Sequence, residues 1–82
     1  VVKRGKIKEQ LDGIILFVSD AVRAFERAGW RRDRQRGSHV ILIQPGMIAS
    51  LSVPQHRELA PGTLRALIRN AGMSVEGFVG LL

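Results

Sequence analysis

Apolar positions change their period along this chain, and each change predicts an element. Ala21, Val22, Phe25 and Ala28 recur at helical spacing, Ser19 offers an N-cap oxygen ahead of them, and Gly29 supplies the stop. From Trp30 the spacing shortens to that of strands. Three extended segments are predicted, Trp30 to Arg36, His39 to Gln44 and Ile48 to Val53, separated by Gly37-Ser38 and by Pro45-Gly46-Met47. Connections this short join antiparallel neighbours. The third segment alternates Ala49, Leu51 and Val53 with Ile48, Ser50 and Ser52, which gives one buried and one wetter face. The middle segment is apolar on both faces. The first, with Arg31, Arg32, Asp33 and Arg34, reads as a charged edge strand that discourages further pairing.

Helical spacing returns after a polar loop. Pro61 suits a first turn, Leu64, Leu67, Ile68 and Ala71 form an apolar stripe, and Gly72 ends it. Ser74 caps a last short helix, Val75 to Leu81, in which Phe78, Leu81 and Leu82 are available to seal the core. Gly77 and Gly80 weaken that helix by about 1 kcal/mol each relative to alanine. The order α-β-β-β-α with a small extra helix at the C-terminal end predicts an α+β fold. In it a three-stranded antiparallel sheet carries both main helices on one face, the layout of the double-stranded-RNA-binding domain.

The first 18 residues do not continue this pattern. Lys3, Lys6 and Lys8 are the only lysines, whereas every basic residue from Arg23 onward is arginine, so we place a boundary near Ser19. Residues 1–18 are read as a leader of unknown role and residues 19–82 as the functional domain. Within the leader, Ile14 to Val18 is too short for a membrane span or a signal peptide's apolar region, and could instead add a strand to a sheet edge. A cytoplasmic protein with no membrane association is expected.

Charge narrows the choice of partner. Thirteen basic residues face seven acidic ones, a net charge of +6, which favours a polyanion over a neutral small molecule. Cysteine is absent and there are two histidines, too few to build a structural zinc site. One of them, His39, follows the Gly37-Ser38 turn directly, with Arg34 and Arg36 before it. Taken alone, a histidine at a strand start is more often a surface or packing residue than a catalyst.

Four ordered blocks change that balance: "FERAGW", "RQRGSHVIL", "VPQHREL" and "APGTLRALIRNAGMS". Together they resemble the HicA (YcfA-like) toxin family, small messenger-RNA-cleaving ribonucleases of bacterial toxin-antitoxin pairs. The resemblance runs from about Ser19 to Leu82, and the leader has no counterpart in it. It implies that His39, the histidine of the Gly-Ser-His turn, is the catalytic residue. The family's P-x-H loop corresponds to Pro54-Gln55-His56, and its helix start to Pro61 through Arg65. It also implies a HicB-like antitoxin protein as partner, and leaves open whether copies of the chain assemble with one another.

The residues are suited to that chemistry. RNA is cut without a metal when its 2′-hydroxyl attacks the adjacent phosphorus while a base removes the 2′ proton and an acid protonates the leaving 5′-oxygen. Imidazole, with an unperturbed pKa of about 6.5, exchanges protons readily near neutrality. Arg34 and Arg36 could hold the scissile phosphate, and Arg65 and Arg69, four apart on the second main helix, are further candidates for RNA contacts. His56 and Ser38 are candidates for the auxiliary acid, each with a plainer alternative: His56 hydrogen-bonding loop backbone, Ser38 serving the turn. No dense carboxylate cluster accompanies either histidine, so no metal and no cofactor are expected. Two other readings compete. One is a non-catalytic RNA-binding module of the same fold; the other is a protein-interaction domain whose exposed sheet residues, Ile41, Ile43 and Ile48, form a contact surface.

Overall fold

The computed structural model describes residues 16–82. Its elements in chain order are β1 (Leu16–Phe17), α1 (Val18–Arg27), β2 (Arg31–Arg36), β3 (His39–Ile43), β4 (Leu51–Pro54), β5 (Glu58–Leu59), α2 (Pro61–Asn70) and α3 (Val75–Val79). Strands β2, β3 and β4 form an antiparallel sheet in that spatial order, with the all-exposed arginine-rich β2 at one edge. The α+β layout predicted from periodicity is present, and the core lies between one face of the sheet and the helices. Val40, Leu42, Leu51 and Val53 supply the sheet side; Val22, Phe25, Leu64, Leu67, Ile68 and Phe78 supply the helical side.

Both long helices end in the same way. At the end of α1, Trp30 N–H donates to Phe25 O at 3.0 Å and Gly29 N–H to Glu26 O at 3.0 Å. At the end of α2, Met73 N–H donates to Ile68 O at 3.1 Å and Gly72 N–H to Arg69 O at 3.0 Å. These are Schellman pairs, which need a left-handed residue after the last turn; Gly29 (φ 102°) and Gly72 (φ 71°) provide it. Trp30 is thereby turned into the core, where it is buried. The small helix α3 is capped as expected, Ser74 Oγ accepting from Gly77 N–H at 2.9 Å. Its Phe78 is fully buried and meets Phe25 with ring centroids 4.9 Å apart.

Several expectations need correction. Helix α1 begins at Val18 with Phe17 in the N-cap position and no side-chain cap, so Ser19 lies inside the first turn. Leu16 and Val18 are core residues, so packing extends upstream of Ser19. Leu16–Phe17 does form a strand, but it pairs with Glu58–Leu59 in a separate two-stranded sheet, not with the edge of the main one. The remainder of the proposed leader, residues 1–15, lies outside the described residues.

The third strand of the main sheet starts at Leu51, three residues later than predicted. Ile48, Ala49 and Ser50 are exposed loop, and the turn after β3 is wider than a tight hairpin. Ile48 is completely solvent-exposed, whereas Ile41 is 5 % exposed. The two therefore do not share an apolar contact surface. The last helix stops at Val79, and of its proposed sealing residues Phe78 is buried, Leu81 packs partly against the core and Leu82 is exposed. Arg27, exposed on α1, donates from Nη1 to Leu81 O at 2.6 Å and ties the helix to the C-terminal segment.

Candidate functional site

The bend that carries His39 is held from three directions. Gly37 takes φ 57°, which a two-residue hairpin turn requires, and Gln35 Nε2 donates to Gly37 O at 3.1 Å. Gln55 N–H donates to Ser38 O at 2.7 Å and so ties the turn to the chain leaving β4. His39 sits in the central strand, aligned with Arg36 of β2 on one side and Pro54 of β4 on the other. Residues directly opposed in an antiparallel ladder project to the same face. Val40 and Leu42 face the helices, so His39, Ile41 and Ile43 face the side that neither helix covers. The His39 side chain is exposed there.

A one-residue bulge decides which arginines join it. Arg36 pairs with His39 and Arg34 with Ile41, but Arg32 pairs with Leu42, leaving Asp33 as the extra residue. Arg34 and Arg36 therefore share the face of His39, while Arg32 is turned to the helical side. Arg34 is engaged by its neighbour Asp33 in an ion pair. Arg36 is exposed and has no side-chain partner among the described residues. Ile41 lies on this face too, buried but outside the core cluster.

The other predicted residues lie elsewhere. Arg65 and Arg69 are exposed on α2, whose Leu64, Leu67 and Ile68 face inward. They belong to the outer helical layer and are separated from His39 by the sheet. His56 is exposed and lines a cleft of about 430 Å³ with Phe17, Ser19, Val22, Arg32 and Arg57 among others. Its loop abuts the His39 turn through the Gln55–Ser38 hydrogen bond, but His39 is not part of that cleft. The local backbone bond anticipated for His56 is made by Gln55, whose Nε2 donates to Val53 O at 3.2 Å.

Two cations at this end were missed in the sequence. Arg57 lies with Cζ 5.6 Å from the centre of the Phe17 ring, and its carbonyl accepts from Val18 N–H at 3.1 Å. Arg32 reaches the same cleft because of the bulge. Adjacency to His56 was the one available signal for Arg57. For Arg32 there was none, since simple alternation puts it with Arg34.

Among the described residues no group of three or more His, Asp or Glu side chains could hold a metal ion, and no helix is long and apolar enough to cross a membrane. No curated protein matches the chain. A family model described as the HicA toxin of bacterial toxin-antitoxin matches residues 18–73. That span starts at the first residue of α1 and closes just past the Gly72 stop of α2, taking in the whole three-stranded sheet, the His39 turn and the 54–56 loop. The chain belongs to the HicA toxin family of bacterial toxin-antitoxin systems, known as mRNA interferases, and so has an antitoxin as its counterpart.

Proposed function

We propose that this chain cleaves messenger RNA by metal-independent transesterification, with His39 as the proton-transferring group. The observation that carries the reading is an exposed imidazole at a pinned bend, with Arg36 directly across the ladder and Arg34 one pair further along the same face. A sugar-phosphate strand approaching the face opposite the helices meets the exposed ring and the guanidiniums together. His39 removes the 2′-hydroxyl proton, the 2′-oxygen bonds to the adjacent phosphorus, and the bond to the 5′-oxygen breaks. The 5′-oxygen takes up a proton, leaving a 2′,3′-cyclic phosphate on one fragment and a 5′-hydroxyl on the other. Arg36, and Arg34 when released from Asp33, offset the charge that builds on the non-bridging oxygens.

The leaving-group proton comes from water, from Ser38, or from His39 itself in sequence. His56 fits this role less well, because it lines the cleft beside α1 and not the face of His39. An antitoxin of the HicB kind would silence the enzyme by covering the basic face around Arg36 or by occluding His39.

The test uses labelled RNA in the presence of a chelator, wild type beside His39→Ala, with a second substrate bearing 2′-deoxyribose at the cut site. Cleavage by wild type alone, blocked by the deoxy substitution, is expected. Cutting of the deoxy substrate would falsify the mechanism. Retention of every RNA activity by His39→Ala would leave the non-catalytic RNA-binding module standing.

A further inference from the structure

The cleft between the start of α1 and the 55–57 loop concentrates positive charge away from His39. Arg32, His56 and Arg57 line it together with Ser19 and Gln55, and among the described residues no carboxylate lines it. The three basic side chains arrive by different routes. The bulge at Asp33 turns Arg32 toward the helical side, the chain leaving β4 presents His56, and the Phe17 ring supports Arg57 from beneath. None of the three has a hydrogen bond or ion pair from its side chain among the described residues. Two permanently charged guanidiniums thus face one recess, and nothing among the described residues neutralises them. A bound anion would relieve that repulsion. The first turn of α1, to which Ser19 belongs, adds a smaller favourable field at the same end.

We propose that this cleft holds a backbone phosphate of single-stranded RNA, as a positioning subsite distinct from the phosphate cleaved at His39. The inference rests on the ribonuclease reading above. Its geometric basis is continuity: Pro54 is the ladder partner of His39, and one residue further on the chain reaches Gln55, which lines the cleft and whose N–H holds the His39 turn through Ser38 O. One RNA strand curving around this end of the sheet touches both surfaces. Arginine is suited to the task because its planar fork matches two phosphate oxygens at once. Such a contact fixes register without reading bases.

The experiment uses the full chain carrying His39→Ala, so that a single-stranded RNA oligonucleotide survives titration. Amide resonances of Ser19, Gln55 and Arg57 should shift on addition of RNA. Arg32→Ala and Arg57→Ala should each weaken binding and each lower the slope of log affinity against log salt by about 0.7, the release expected per lost phosphate contact on a single strand. Arg57→Lys should keep the slope while losing affinity. Arg23→Ala, outside the cleft, should change neither. Unchanged affinity and slope in both alanine variants would overturn the proposal, as would RNA shifts confined to other surfaces. So would cleft resonances that answer to an acidic peptide and not to RNA. Failure of the chemistry reads differently: wild type that binds RNA in the cleft yet never cuts removes the ribonuclease mechanism and leaves the subsite.

Discussion

His39 and Arg36 stand directly opposite each other across the β2–β3 ladder, the last residue pair before a two-residue turn. The pairing fixes both side chains on one face without a hydrogen bond between them, so each is free to address a substrate. We expect His39→Ala to lower the cleavage rate about 10²- to 10⁴-fold, the range for loss of a general acid or base. The exposed position predicts a stability change within about 0.5 kcal/mol. Arg36→Ala should cost less than His39→Ala, and Arg36→Lys should recover part of the loss, since charge survives but the bidentate fork does not. Single-turnover kinetics beside thermal melts check all three. A His39→Ala protein that is inactive because it is unfolded would contradict the assignment.

Gly29 and Gln44 meet at the end of α1, and their contact makes a second prediction. Gly29 has φ 102°, and a methyl group added there would come within 3.1 Å of Gln44 Oε1. Gly46, at φ 84°, has nothing within 4 Å of the same position. Both alanine variants carry the backbone penalty of about 1–2 kcal/mol for a left-handed conformation. Gly29→Ala should cost measurably more because a part-buried side chain must also move. Chemical denaturation of Gly29→Ala, Gly46→Ala and the Gly29→Ala, Gln44→Ala pair measures the difference, and the pair should recover some of it. Equal costs at the two glycines would show that the Gln44 contact is slack.

What the sequence made legible follows from local rules. Helix α2 was readable because Pro61, the Leu64-Leu67-Ile68 stripe and Gly72 agree on one element. The β2–β3 hairpin was readable because Gly37-Ser38 leaves little choice of connection. Beyond element boundaries that shifted by a few residues, the misses are non-local. No propensity marks Glu58–Leu59 as a strand; it becomes one only because Leu16–Phe17 arrives beside it. The bulge at Asp33 changes the face of Arg32 without any glycine or proline to announce it. The cleft residues Arg32 and Arg57 depended on both of these events, whereas the turn bearing His39 depended on neither.

The correction to the apolar surface gives a third prediction, because Ile41 and Ile48 should now behave oppositely. Ile41 is 5 % exposed on the face of His39, and Ile48 is fully exposed in the loop before β4. Ile41→Ala should destabilise by about 2–4 kcal/mol if its cover is well packed. Ile48→Lys should leave stability within about 0.5 kcal/mol and reduce any self-association. Melting curves and sedimentation at several concentrations separate the two. Destabilisation by Ile48→Lys comparable to that of Ile41→Ala would restore a packing role for the loop.

Gly77 inside α3 and Gly80 at its C-cap look equivalent in sequence and differ in structure, so their alanine variants should part company. Gly80 has φ −64°, and an added methyl would lie 3.6 Å from Glu76 O and Gly77 O, ordinary contact distances. Gly80→Ala should therefore stabilise by about 0.4–1 kcal/mol, mainly by restricting the unfolded chain. At Gly77 the same methyl comes 3.1 Å from Ser74 Oγ, the atom that accepts the Gly77 N–H and caps the helix. The gain in helix propensity, about 1 kcal/mol, is set against disturbance of a cap worth about the same. In a domain of this size 1 kcal/mol moves the melting temperature by about 4–8 °C, so the contrast is measurable by calorimetry. Gly80→Ala should raise it and Gly77→Ala should leave it level or lower it. In a Ser74→Ala background, where the hydroxyl is gone, Gly77→Ala should become stabilising. If it does not, the penalty at Gly77 lies in the backbone and the cap contact is not its cause.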